Sequence, residues 1–161
     1  ADPKNIALFV KHRVFSEVEL KSRTEILLEN YCKVIRIEGL TLRDMLRHDV
    51  LPAVVSFSRD LAQSASLKKA LSEDIDRSYE EELLRKTSSL TSALHQKAEA
   101  LSAALDRALP GDMEQAAHYC HDEILRLMDE ARTLADQLEA VVGAKYWPYP
   151  TYGEMLFSIK E

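Results

Sequence analysis

Glycine and proline are scarce in this chain of 161 residues, four and five in all, and neither occurs between Ala53 and Leu109 or between Asp112 and Val142. Two long segments therefore run without the residues that usually end helices. Cysteine is scarcer still: Cys32 and Cys120 are too few for a disulfide framework, which points to a reducing cytoplasm. A positive charge excess is missing too. The formal charge of −6 and pI near 5.4 offer no basic footprint for nucleic acid or an anionic membrane. No apolar run is long enough to span a bilayer, and nothing resembles a signal peptide. The chain starts at Ala1 and its first methionine is Met45, so a processed product or a fragment of a longer protein is expected.

What is present is helical periodicity. "SEVE" at Ser16 is a capping box with Glu19, and Phe15 can staple onto Leu20. From there the apolar spacing predicts one long helix through residues 16–70, kinked near Pro52 because proline removes a donor and crowds the preceding turn. Leu83, Leu90, Leu94, Leu101 and Leu105 mark a second stripe, and Ala116, Cys120, Ile124, Leu127, Ala131, Leu134 and Leu138 a third. "PGD" at 110–112 separates them, with Asp112 as an N-cap and Gln115 as its capping-box partner, so residues 72–143 predict an antiparallel helical hairpin that Gly143 ends. Residues 1–15 are a lead-in. The expected fold is all-α, a single elongated helical bundle with few connections.

Chemistry is harder to find. In "HYCHDE", His118 and His121 stand at i, i+3 beside Cys120, Asp122 and Glu123, and they are the only candidate metal ligands. One helix brings two or three ligands into reach where a closed zinc site needs four, so a solvated helix face accounts for the cluster better. No histidine has glutamate three residues before it, which excludes the Glu-x-x-His pattern of di-iron bundles. Gly39, Gly111, Gly143 and Gly153 are isolated, and no phosphate-binding loop occurs. The serines of "SSLTSALHQ" lie in an amphipathic helix and do not form a nucleophile elbow.

The tail breaks the pattern. "YWPYPTYGEMLF", Tyr146 to Phe157, holds the only tryptophan, half the tyrosines and two prolines that forbid helix continuation. So much apolar surface predicts an extended, ordered aromatic strap over 144–161, docked at the bundle base near the Ser16 to Tyr31 end of the first helix.

Three stretches, "VFSEVELKSRTEILLENYCKVIRIEGLTLRDM", "LPAVV" and "YWPYPTYGEMLF", together resemble the C-terminal region of type III glutamine synthetases. The resemblance rests on Glu19, Leu20, Ser22, Arg23, Glu25, Ile26, Tyr31, Lys33, Glu38 and Thr41, on Leu51, Pro52 and Ala53, and on Tyr146, Trp147, Pro148, Pro150, Thr151, Tyr152 and Gly153. Thr24 departs from a usual tyrosine and Gly39 from a usual alanine, which puts local packing in question. The family resemblance implies a parent enzyme that phosphorylates glutamate with ATP and displaces the phosphate with ammonia, using Mg or Mn in a catalytic barrel absent from this chain. It implies no catalytic residue and no cofactor-binding residue here. What it implies instead is a structural and assembly domain, inactive alone, whose partners are the rest of the parent enzyme and its homo-oligomer. Arg23, Glu25, Tyr31, Pro52, Tyr146, Trp147, Pro148, Pro150 and Tyr152 are the expected structural and docking residues. A free-standing helical interaction module is the competing reading, because a hairpin stripe can also serve a partner helix.

Overall fold

The computed structural model describes residues 2–150 and 152–157, without the side chains of Tyr152 and Gly153. The described residues form helices joined by turns, with no strand among them. The first helix, α1, spans Pro3–Lys11 inside the lead-in. The Asp2 carboxylate accepts the Lys4 amide at 2.8 Å and Pro3 occupies the first turn, where a missing N–H is harmless. At its other end Arg13 takes φ 55°, and the Val14 amide reaches the Phe9 carbonyl at 3.0 Å, a Schellman closure built on arginine instead of glycine.

Next comes the spine. Helix α2, Glu17–Met45, begins with the Ser16–Glu19 capping box, passes through a π-helical turn at Leu46–Val50 and continues as α3, Leu51–Leu71. The 55 residues from Glu17 to Leu71 are helical without a gap, roughly 80 Å at a rise of 1.5 Å per residue. The π-helical turn lies immediately before Pro52, and there the Leu51 amide reaches back to the Leu46 carbonyl. Widening the backbone by one residue makes room for the pyrrolidine ring, so the proline distorts the helix without ending it.

The hairpin lies along that spine. Helix α4, Ser78–Asp106, follows a short turn and runs back beside α3, while α5, Met113–Tyr119, a second π-helical turn, Cys120–Leu125, and α6, Arg126–Glu139, run forward again beside α2. The arms are joined by the Lys97–Glu130 ion pair at 2.7 Å and α4 is tied to the spine by Arg47–Glu99 at 2.8 Å. Glu80, buried at the α3–α4 turn, takes Lys68 at 2.6 Å and the Ser64 hydroxyl at 3.1 Å. Arg36 donates to the Leu105 carbonyl at 2.8 Å, where a cation meets the negative end of α4. None of the helices among the described residues is long and apolar enough to cross a membrane.

Two core clusters result. One gathers Cys32, Ile35, Leu101, Leu105, Cys120 and Ile124 at the closed end of the hairpin. Burial first, and then a hydrogen bond with Cys32, pushes the Cys120 thiol up to about 11. The other gathers Leu46, Val50, Val54, Leu94, Ala131 and Leu138 around the first π-helical turn. Gly39 sits at a close approach of the helices: an added Cβ would stand 3.0 Å from a Leu105 methyl and 3.4 Å from an Ile124 methyl. Gly143, expected to end the hairpin in a left-handed cap, does not do so. Helix α6 stops at Glu139, Ala140 takes φ −65°, and no glycine among the described residues has positive φ. The Val142 amide closes on the Leu138 carbonyl at 2.8 Å, so the chain leaves the helix through an ordinary turn.

Gly39→Ala is expected to lie within about 1 kcal/mol of the parent, because better helix propensity offsets a small displacement of Leu105. Gly39→Leu should cost about 3 kcal/mol, since the added volume has no rotamer clear of the neighbouring helices. Urea denaturation followed by far-ultraviolet circular dichroism measures both, and equal midpoints for the two variants would contradict the close approach.

Candidate functional site

Two surfaces draw on the residues singled out in the sequence. The first is where the tail meets the spine. After α6 the chain turns twice, with the Tyr146 amide on the Gly143 carbonyl at 2.9 Å and the Trp147 amide on that of Ala144 at 3.2 Å. Tyr146 packs edge-on against Phe57, ring centres 5.4 Å apart, and its hydroxyl donates to Asp60 at 2.6 Å. Lys145 lies 4.5 Å from the centre of the Tyr146 ring on the outside. Trp147 and Tyr149 fit beside Leu42, Leu46, Val50 and Ala135, and the Tyr149 hydroxyl donates to Asp49 at 2.9 Å. Asp49 and Asp60 lie about three turns apart on one helical face, one on each side of Pro52. The aromatic segment therefore bridges the distorted stretch of the spine, while Pro52, Pro148 and Pro150 themselves face solvent.

This corrects the expected docking position. The hairpin turn, not the tail, sits at the Ser16 to Tyr31 end: Gly111, Asp112 and Met113 lie beside Lys21, Thr24 and Glu25. The second arm then carries the chain about 40 Å along the spine at 1.5 Å per residue before the tail emerges, which delivers Tyr146 and Trp147 to the Pro52 region. The extended form expected for 144–161 also gives way. Tyr152–Phe157 is a short helix, α7, whose Met155, Leu156 and Phe157 are exposed. The docked part of the described tail reaches Tyr149; Thr151, residues 158–161 and the side chains of Tyr152 and Gly153 lie outside the described residues.

The second surface is a groove between α2 and the start of the second hairpin arm. Thr24, Leu28 and Tyr31 form one wall, and Glu114, Ala117, His118, His121 and Asp122 form the other. The "HYCHDE" cluster is split by the helix: Cys120 points into the core, whereas His118 and His121 stand on the rim, exposed, with His121 Nδ1 2.8 Å from Asp122. Burial of Tyr31, reinforced by Cys120, Cys32 and Asp122, raises its phenol above the ordinary range. Among the described residues no three of His, Cys, Asp and Glu come together as a metal-binding group. The buried or bridging carboxylates are occupied instead, Glu80 by Lys68 and Glu130 by Lys97 and Arg126.

Of the other expected docking residues, Arg23 stacks its guanidinium over Phe15 at 4.7 Å, and exposed Glu25 lies beside the hairpin turn. Asp49 and Asp60 were not visible as partners from the sequence. The signal that could have found them is that half-buried phenols need acceptors, and these two carboxylates share a face.

Comparison with known proteins gives a consistent set of relatives. Residues 1–69 match a family model described as the glutamine synthetase C-terminal domain. A glutamine synthetase of Butyrivibrio fibrisolvens is 38% identical over 98% of this chain and 23% of its own length. A type-3 glutamine synthetase of Dictyostelium discoideum is 34% identical over 96% of this chain and 22% of its own length. A glutamine synthetase of Bacteroides fragilis is 26% identical over 98% of this chain and 22% of its own length. The chain thus spans under a quarter of these relatives.

The Tyr149 phenol, pushed by burial and then by its bond to Asp49 up to about 12, contributes stability that is complete below pH 10 and lost as pH rises through about 12. Asp60, held below its usual value first by Tyr146 and then by Arg59, contributes stability present above about pH 4 and lost as pH falls through its lowered pKa. Tyr149→Phe should therefore flatten the alkaline limb of the stability profile and Tyr146→Phe the acid limb. Trp147→Ala should cost about 2 kcal/mol at pH 7. Denaturant midpoints across pH 2 to 12 decide this, and profiles superimposable on the parent's would refute the clasp.

The groove generates a separate expectation. Replacing both His118 and His121 by alanine should change stability by under about 0.5 kcal/mol, because both rings are on an exposed rim. Leu94→Asp, at a site with no exposure, should cost about 4 kcal/mol or more. Thermal melts that ranked the histidine pair as the more damaging change would reverse the assignment of faces.

Proposed function

We propose that the chain is a glutamine synthetase C-terminal domain that braces and helps assemble an enzyme joining ammonia to glutamate with ATP. The single observation that carries this reading is the extent of the alignment: nearly all of this chain is matched by under a quarter of each relative. The catalytic barrel, with its Mg or Mn and its ATP, belongs to the remainder of such a polypeptide. The homo-oligomer and the cytoplasmic setting belong to the same proposal. What supports a bracing role physically is a rigid spine with charges paired along its surface, a hairpin stapled to it and an aromatic clasp across its weak point. Such an object transmits position well.

In the whole polypeptide, Leu94→Asp should unfold this domain, reduce the native particle mass in light scattering and lower glutamine formation at least tenfold. The chain by itself should show no glutamyl transferase activity above a heat-killed control and no micromolar affinity for Mg·ATP by calorimetry. An intact, fully active particle carrying Leu94→Asp would overturn the bracing role. Activity in the chain alone would overturn the assignment of chemistry to the remainder.

A further inference from the structure

Helix α2 has two apolar sides. Cys32, Ile35, Gly39 and Leu42 face the hairpin, whereas Ile26, Leu27, Val34 and Ile37 point away from it with 53%, 68%, 51% and 63% of their surface exposed. That outward stripe is on the order of 400 Å² of apolar surface, as large as the principal patch of a typical monomer. At its edge Lys33 is paired locally with Glu29 at 2.7 Å. Helix α1 extends the surface at the same end. It buries none of its own residues and exposes Leu8 and Val10, and its C-terminal Phe9 leans on Phe15, ring centres 6.0 Å apart, at the start of α2.

We infer that this face, the outward stripe of α2 continued by α1, is the seat for the larger preceding part of a glutamine synthetase polypeptide. The inference rests on the reading above and says where the domain is held. Two observations choose that occupant. The family match covers residues 1–69, which include α1 and the whole stripe and exclude the hairpin. The relatives have more than three quarters of their length outside the matched region, and in a C-terminal domain that length arrives through α1, directly beside the stripe.

The test uses the whole polypeptide with a benzophenone amino acid at position 37, a second version at position 34, and a control at Arg85, which is exposed on α4. After irradiation of the assembled particle, positions 37 and 34 should give at least ten times the crosslinked product of position 85, with the captured peptides drawn from the part preceding this domain. Loss of assembly with the probe at 37 and 34 but not at 85, helix content being retained, supports the same seat. Crosslinks to residues 26–41 of another copy would overturn the inference in favour of self-association. Yields no higher than at position 85 would overturn it by showing an open face. Either result in a particle that still needs a folded domain for its mass and activity defeats the seat and leaves the bracing role standing.

Discussion

A helix carried unbroken through 55 residues cannot bury itself, and its middle contains a proline that removes one backbone bond and crowds the turn before it. That constraint organises the molecule. Without Leu46, Val50, Val54 and Phe57 packed against Leu94, Ala98, Ala131 and Leu138, the segment around Pro52 would be the first place for the spine to part. The hairpin covers it from one side, and the chain then returns across it with Tyr146 on Asp60 and Tyr149 on Asp49. Each phenol anchors a different half of the spine, so opening the proline-containing turn would strain the tail that bridges it.

The same constraint separates what the sequence made legible from what it did not. Stretches free of glycine and proline, the Ser16–Glu19 box, the Asp112 cap and the leucine stripes are local signals, and local signals survive without knowledge of the partner. The docking place of the tail depended on stagger: α4 lies mainly along α3 and the second arm mainly along α2, a choice made by how knobs such as Leu105 and Ile124 meet Gly39. No window of sequence contains both sides of that contact. Helix α1 escaped notice because its terminus uses Arg13 in a left-handed conformation, where sequence reasoning looks for glycine. In the histidine cluster Cys120 and His121 are neighbours in sequence, yet the helix buries the first and leaves the second exposed, as a solvated face requires.

Charge fixes geometry among the described helices. Lys97 with Glu130, Arg47 with Glu99 and Lys68 with Glu80 each join two different helices, and Arg36 closes the end of α4. Pairs at exposed sites contribute little stability individually, but they fix register: sliding the hairpin along the spine would separate several pairs at once.

The two sides of α2 then differ in kind. On the inner side Gly39 allows backbone approach so close that only small displacements are tolerated, and the thiols of Cys32 and Cys120 meet in the dry core. Close-packed interiors of that sort have essentially one arrangement. The outer side has side chains of comparable apolar size standing free, with no glycine among residues 18–37 to bring a second backbone near. A helix selected only to cover a hairpin would carry polar residues there, as α4 does at Arg85, Lys86, Ser89, Gln96 and Glu99. The inner face demands exact fit, whereas the outer face supplies only apolar area.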